Sequence, residues 1–470
     1  MIEAKVRWRI LGDEQVERIH AAAMRVLSET GCEVAHARGV EVLRKAGAQV
    51  TGTRVRIGED LVTEALKRAP KEIVLGDGDG RPAMTLGGSR VHFGTGSDCL
   101  FVREGGTGTR RKAVLDDVRR FARIAHHLGE IDFVMSLACA SDVPPERQYR
   151  EQFAAMLTET TKPIVFTVVD PAELDPILEM SIEAQGGAAA HRKAPHLVLY
   201  AEPVSPLAHV ETSVEKLLFC AEKRVPVVYA PGSMGGGTAP VTGAGSVVQS
   251  VAEILSGLVI HQFAVPGAAF VFGGAIGPFD MRTSVNVLCA PFGATWTAAL
   301  VEMGKHYGLP TWSLAGCSDS KVVDAQAAID AALMILPAAL SGANLVHDVG
   351  YLESGMTSSP EMLVISAEII RVVARMTAGL DTSDDALAVE AIGRVGPGGH
   401  FLTDEHTLRR FRDERFDGGL LDYRNVAAWE KAGAKTMLDR ATEHVTELLA
   451  KDPPPMDAKR RRRVLDILRR

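Results

Sequence analysis

Eight times between residues 91 and 349 a short run rich in Val, Ile, Phe and Tyr gives way to a stretch of helical length. Apolar runs of this kind suit strands buried on both faces, and the intervening amphipathic stretches suit helices, so the alternation reads as parallel βα units. The strand candidates begin at Val91 (VHFGTG), Phe133 (FVMSLA), Pro163 (PIVFTVV), Leu197 (LVLYAEP), Pro226 (PVVYAPG), Ala268 (AAFVFGG), Pro310 (PTWSLAG) and Asn344 (NLVHDVG). Segments such as VLDDVRRFARIAHHL and ETSVEKLLFCAEK follow them. Eight units starting about 36 residues apart fit a (β/α)8 TIM barrel, because an open doubly wound sheet rarely strings together eight uninterrupted units. The α/β alternation occupies residues 91–380. Residues 1–90 then form an N-terminal cap of helices and a short hairpin, with stops at Gly31 and Pro70, and residues 381–470 a C-terminal helical extension.

The rest of the chain narrows the function class. A net charge of -7 over 470 residues argues against a nucleic-acid surface. The tail KRRRRVLDILRR is locally basic and reads either as a solvated helix face or as a docking or subunit contact, and a homo-oligomer is expected. Six cysteines lie far apart without a CxxC pair, which speaks against disulfides and thiolate metal sites and for a reducing cytoplasm. The charged start MIEAKVRWRILGDEQ lacks the apolar core of a signal peptide, and no membrane span is expected.

A barrel of this type places its chemistry at the carboxyl ends of the strands. Glu202 stands out there: it follows Tyr200 by two residues, is locked before Pro203, and has no helix immediately behind it to cap. A carboxylate is costly to bury unless it meets a cation or a proton donor, so Glu202 is either an ion pair in the barrel mouth or a substrate or catalytic contact. His347, next to Asp348, is either a satisfied core histidine or a proton relay. The stretch TWSLAGCSDSKVVDAQA brings Cys317 and Asp319 to a strand end, where a small apolar thiol and a helix cap are the plain readings. Asp98 and Asp170 are further cap candidates, and Asp170 is expected to cap. The loops GSMGGGTAPVTGAG and GGAIGPFDMRTS match neither a P-loop nor a dinucleotide fingerprint, and their glycines suit close approach of a flat partner to the backbone. No metal motif is present: His400 and His406 lack the HExxH spacing.

Four motifs, GGTAPVTGAG, SDSKVVDAQA, HDVGYLESGMTSS and GGHFLTDEHTLRRFR, in this order and spacing, resemble the trimethylamine methyltransferase family, in particular its members without pyrrolysine. The resemblance covers nearly the whole chain. It implies a methyl transfer from a methylated amine to the cob(I)alamin of a partner corrinoid protein, the cobalamin being carried by that partner rather than bound tightly here. Archaeal trimethylamine enzymes carry pyrrolysine at a place that falls close to Cys317. This chain has none, and relatives lacking it are associated with quaternary amines such as glycine betaine, proline betaine or carnitine. On this reading the catalytic candidates are Glu202, His347, Asp319 and Cys317. Rings of Phe93, Tyr200, Tyr229, Phe272, Trp312 and Tyr351 are candidates to face a trimethylammonium head, with Arg282 for a substrate carboxylate. Gly235, Gly236, Gly237, Gly273 and Gly274 are the glycines expected to face the corrinoid. Gly243 stands where the family's APVTLAG form has an apolar residue. Two alternatives stay open: a quaternary-amine binding or sensing protein without transfer, and a barrel lyase or isomerase using Glu202 and His347 as base and acid.

Overall fold

The computed structural model describes residues 1–3 and 7–470. Seven strands, β1 (Arg90–Thr95), β3 (Ile164–Phe166), β4 (Leu197–Ala201), β5 (Val227–Tyr229), β6 (Phe270–Gly273), β7 (Thr311–Leu314) and β8 (Leu345–Val349), pair in parallel from β3 through β8 and on to β1. The eighth member, β2, is reduced to single parallel bridges, Gly94 to Phe133 and Val134 to Ile164, which join β1 to β3 and close the ring. The sequence predicts a regular strand at FVMSLA. The chain instead bends away at Leu137, which sits in the left-handed region at φ 52°.

Helices α1 (Leu115–His127), α2 (Gln148–Glu159), α3 (Leu174–Ala184), α4 (Glu211–Lys223), α5 (Gly243–Ala264), α6 (Pro291–His306), α7 (Ala325–Ser341) and α8 (Pro360–Thr377) form the outer layer. By length and composition α5 could cross a membrane, but 72% of its apolar window is buried. The cap explains this: helices Asp13–Arg25, Ala37–Ala46 and Glu59–Arg68 pack on α5, which is therefore covered by the barrel on one side and the cap on the other. A helix apolar all round is what a two-sided core position selects.

The hairpin Ile73–Gly76/Pro82–Leu86 closes the amino-terminal end of the barrel. Its Ile73, Leu75, Met84 and Leu86 join one buried cluster with Val165, Val198, Val228, Val271, Trp312 and Leu345, the inward-facing residues of the strands. Among the described residues, only the opposite end remains open. The basic tail forms helix Ala458–Leu468, which buries Val464, Ile467 and Leu468 against α2 and α3, while Arg463 and Arg470 pair with Glu183 (2.8 Å) and Glu179 (3.0 Å). It is a docked element of the fold.

Candidate active site

Side chains alternate across a strand, so the members of the inward cluster fix which residues above them point into the barrel. With Val198 inward, Tyr200 and Glu202 follow on β4; with Leu345 inward, His347 follows on β8; Trp312 points inward from β7. The structure brings these four together. The Trp312 indole and His347 imidazole stack with centroids 4.3 Å apart, and Tyr200 lies 5.6 Å from Trp312 and 6.2 Å from His347. Trp312 is wholly buried and forms the floor. The Tyr200 hydroxyl donates to Glu202 Oε2 at 3.2 Å.

Glu202 has its side chain open to solvent at the mouth, yet protein crowds it on most sides. That desolvation raises its carboxyl pKa, opposed by the Tyr200 hydroxyl and the Lys216 ammonium. Burial, followed by the Glu202 charge, pushes the Tyr200 phenol well above its ordinary value. Asp348 adds a second carboxylate from a left-handed residue, φ 77°. Its Oδ1 lies 2.5 Å from His347 Nδ1, but the two atoms are not aligned as a hydrogen bond. Among the described residues, both His347 nitrogens and Trp312 Nε1 lack hydrogen-bond partners. A ring-lined floor with carboxylates and unpartnered polar nitrogens above it suits a small cation with a polar substituent.

The other strand-end carboxylates hold loops. Asp98, also left-handed at φ 56°, caps no helix and accepts from Thr167 Oγ1 (2.6 Å) and Ser136 Oγ (3.3 Å). Burial raises its pKa. Asp170 does cap, accepting from Ala172 N at 2.9 Å. Asp319 accepts from Leu288 N (3.2 Å), Cys289 N (2.9 Å) and Ser354 Oγ (2.7 Å), tying together the loops after β6, β7 and β8. The cap of α7 is Asp324 instead. Buried Cys317 faces Cys289, Sγ to Sγ 3.5 Å. The Cys289 thiol is raised well above its usual pKa, first by its hydrogen bond with Cys317 and then by burial. That of Cys317 is also raised, by burial against the opposing effect of that hydrogen bond.

Several expected contacts lie elsewhere. Phe93, Tyr229 and Phe272 occupy the alternate positions of their strands and turn outward into the helical layer, which corrects their expected place at the substrate. Tyr229 stacks on His209 and bonds its Nδ1 at 2.7 Å; Phe272 packs on Tyr307, centroids 5.7 Å apart. Tyr351 is pinned by the Ser97 backbone, whose N–H donates to its hydroxyl at 2.5 Å, with its ring filling the space a Cβ on Gly96 would need. Arg282 is exposed on the hairpin after β6 and paired with Asp280 at 3.3 Å, outside the barrel interior. The glycines have local reasons. A Cβ on Gly235 or Gly243 would strike the Trp296 indole, on Gly273 the Trp312 carbonyl, and on Gly274 the Pro231 carbonyl; Gly236 turns at φ 95°. Gly237 makes no close approach, and among these six no contact calls for a corrinoid to explain the residue. Trp296, on α6, and Cys289 escaped the sequence reading because their partners lie some fifty and thirty residues away along the chain.

Seven of the eight βα loops each present an exposed large apolar residue: Leu100, Val169, Val204, Val241, Met281, Val322 and Met356. The open end of the barrel is thus rimmed by apolar side chains. Among the described residues no group of three or more His, Cys, Asp or Glu is placed to hold a metal ion.

Comparison with known proteins agrees with this architecture. The crystal structure of the Methanosarcina barkeri monomethylamine methyltransferase (MtmB) superposes with a TM-score of 0.52 over 95% of this chain and 89% of that one, at 12% identity, a likeness of fold. The glycine betaine methyltransferase of Desulfitobacterium hafniense (strain Y51) is 29% identical over 451 residues, 96% of this chain and 94% of that protein. The trimethylamine methyltransferase MttB2 of Methanosarcina mazei is 32% identical over 86% of this chain and 83% of its own length. With the family model for trimethylamine methyltransferase matching residues 2–470, the chain belongs to the trimethylamine methyltransferase family and is a methyltransferase.

Proposed function

We propose that this methyltransferase takes a methyl group from a quaternary amine and delivers it to the cobalamin of a separate corrinoid protein, and that it works as a homo-oligomer in the cytoplasm. The observation that carries the reading is the grouping of Tyr200, Trp312 and His347 beneath the Glu202 and Asp348 carboxylates at the one open end of the barrel. Ring faces and carboxylates are what a trimethylammonium group binds, and a relative of similar length is named for glycine betaine. The apolar rim fits the acceptor protein, since exposed apolar patches of this kind mark protein contacts.

A quaternary nitrogen already carries positive charge and departs as a neutral amine. No proton has to be delivered for it to leave, and none of Glu202, Asp348 or Cys317 needs to act as a general acid. When a corrinoid protein is docked, its cob(I)alamin supplies the nucleophile. The chain's own residues hold the cation on the floor, turn one methyl group toward the open end, and exclude water from beneath it through the sealed hairpin. The carboxylates favour the charged ground state, so they serve binding more than transfer, and the rings temper how many are needed. The arrangement requires no pyrrolysine adduct near Cys317. The test is loss of cob(I)alamin absorbance with a series of quaternary amines, glycine betaine and carnitine among them, and with trimethylamine. Transfer from at least one quaternary amine, with trimethylamine far slower, is expected. Equal rates with trimethylamine, or binding without transfer, would overturn the proposal.

A further inference from the structure

Charge inside the barrel mouth runs one way. Glu202 at the end of β4, Asp348 on β8 and Asp98 in the loop after β1 bring carboxylates to the space above the Trp312 floor. That they surround one space shows in the groups they act on. Burial and then the charges of Glu202 and Asp348 raise the Tyr200 phenol, and burial and then the charges of Asp348 and Asp98 raise the Tyr351 phenol. The hydrogen bonds they accept come from neutral donors: the Tyr200 hydroxyl to Glu202 at 3.2 Å, and Thr167 Oγ1, Ser136 Oγ and Gln152 Nε2 to Asp98 at 2.6, 3.3 and 3.5 Å. The carboxyl halves of the eight strands carry no Lys or Arg. Around the mouth, Arg110 pairs with Glu353 at 2.9 Å and Lys321 donates to the Asp319 carbonyl at 2.8 Å. Lys216, whose charge does reach Glu202, donates to the Val168 carbonyl at 2.5 Å. Crowded carboxylates without a counter-ion favour a ligand that brings positive charge and no negative one.

We infer that the substrate of this barrel is a quaternary ammonium alcohol without a carboxylate, choline being the simplest, and that Asp98 and Asp348 select against betaines. The inference rests on the reading of the site as one for a quaternary amine, and it narrows that reading. A betaine brings the same trimethylammonium head together with a carboxylate, for which the mouth has no free ammonium or guanidinium among the described residues. Like charges set against a near-identical ligand are a common source of specificity. The unpartnered polar atoms agree. Trp312 Nε1 can only donate and Asp348 Oδ1, as a carboxylate oxygen, can only accept, and neither has a hydrogen-bond partner among the described residues. A hydroxyl answers both, accepting through a lone pair and donating its proton. A carboxylate answers only the first and meets like charge at the second. Transfer from such an alcohol needs no further reactant. The bond from methyl to nitrogen breaks, its electron pair stays on nitrogen as the neutral dimethylamino alcohol, and the acceptor's cob(I)alamin supplies the pair that holds the methyl. An identity of 29% to a protein named for glycine betaine leaves room for a different second substituent.

The test is calorimetric binding of choline, glycine betaine and the methyl ester of glycine betaine to the full-length protein, beside cob(I)alamin-linked transfer from each. The ester keeps the betaine skeleton and removes its negative charge. Choline should bind at least about 30-fold more tightly than glycine betaine, with the ester between them and kcat/KM in the same order. Asp348→Asn and Asp98→Asn, each in a protein with wild-type circular dichroism, should narrow the ratio of choline to glycine betaine affinity at least about fivefold, whereas a merely loosened site would weaken both ligands alike. If Asp98→Asn does not fold, Asp348→Asn and the ester still decide. Glycine betaine bound and demethylated as well as choline would overturn the inference and leave transfer from a quaternary amine standing. So would an ester no better than glycine betaine, or an affinity ratio that the folded variants leave unchanged. Choline preferred in binding, with no methyl transferred from any of these compounds, would overturn the transfer reading and uphold the choice of alcohol over betaine. A protein that binds none of them would overturn the inference outright.

Discussion

The indole of Trp312 and the imidazole of His347 stack in the middle of the barrel, centroids 4.3 Å apart and planes inclined by 24°. The two residues come from neighbouring strands, and their register makes the stack: Leu314 pairs with His347 and Trp312 with Leu345, so the histidine lies one layer above the indole. His347 is thereby the upper ring of the site and Trp312 its support. We expect His347→Ala to uncover the indole and cost about 10- to 100-fold in kcat/KM, ~1.4 to 3 kcal/mol. His347→Phe keeps a ring in place but removes both nitrogens. If it restores KM and leaves kcat low, the nitrogens act on the substrate; if it restores neither, the stacked ring is not what the substrate needs.

Glu202 faces the same space with its pKa raised by desolvation. Glu202→Gln should raise KM for a quaternary amine by about 1 to 3 kcal/mol, the range for losing a charge-assisted contact, while kcat changes little. The pH dependence follows the same sign. Protonation discharges the carboxylate, so KM should climb as pH falls toward the raised value, at a pH above the usual carboxylate range near 4.3, and should be flat above it. A thousandfold loss of kcat at unchanged KM would instead mark Glu202 as a proton-transfer residue and favour a lyase.

Cys317 and Cys289 both have their thiols raised above the ordinary pKa. Neutral thiols are poor nucleophiles. Cys317→Ala should therefore keep kcat within about threefold and cost on the order of 1 kcal/mol of stability, the scale for a small deletion in a packed site. Complete loss of transfer in a folded Cys317→Ala protein would return the thiol to the catalytic candidates.

The barrel was legible in the sequence because strand and helix periods differ so strongly, and eight repetitions leave little else to build. Of the candidate residues, Tyr200, Glu202, Trp312 and His347 do share one space. Phe93, Tyr229 and Phe272 were misplaced by one residue of strand register: proximity to a strand end is visible in a sequence, while the side a residue faces depends on its neighbours' packing. Asp98 and Asp319 read as caps because Asp near a helix start is usually one. Here Asp324 begins α7, and Asp117 and Asp142 accept from the first amides of α1, leaving those carboxylates free for loop contacts that join distant segments. The glycine loops misled for a related reason. The Trp296 ring that fills the space beside Gly235 and Gly243 belongs to α6, and nothing in the loop announces it.

Gly243 carries a consequence of its own. A Cβ there would lie 2.2 Å from Trp296 Nε1 and within 2.6 Å of two ring carbons. Gly243→Leu, which restores an apolar residue at this place, should force the indole out and cost about 1 to 3 kcal/mol through overpacking. Pairing it with Trp296→Ala should relieve part of that cost, and a double-mutant cycle in chemical denaturation measures the coupling. Additive effects would show that the two residues do not compete for one space.

Stability should fall steeply in mild acid, and His209 shows why. Its ring is buried with Nδ1 at 2.7 Å from the Tyr229 hydroxyl and Nε2 at 2.8 Å from Ser256 Oγ, and burial lowers its pKa to about 4. His196 is likewise lowered to about 4 and His261 to about 3, again by burial. The unfolded chain takes up a proton on such a histidine near pH 6.5, which the folded chain refuses until about pH 4. Between those values the unfolded state binds more protons, so unfolding free energy rises with pH: the stability is complete above about 6.5 and is lost as pH falls toward 4. Each such histidine contributes on the order of 1.4 kcal/mol per pH unit across the window. Urea unfolding at intervals from pH 7 to pH 5 should follow this slope. His209→Gln keeps a donor and an acceptor for Ser256 and Tyr229 and should flatten the slope by up to one proton. A variant as acid-sensitive as the wild type would mean that His209 is charged in the fold and that its two hydroxyl partners hold it in a different protonation state.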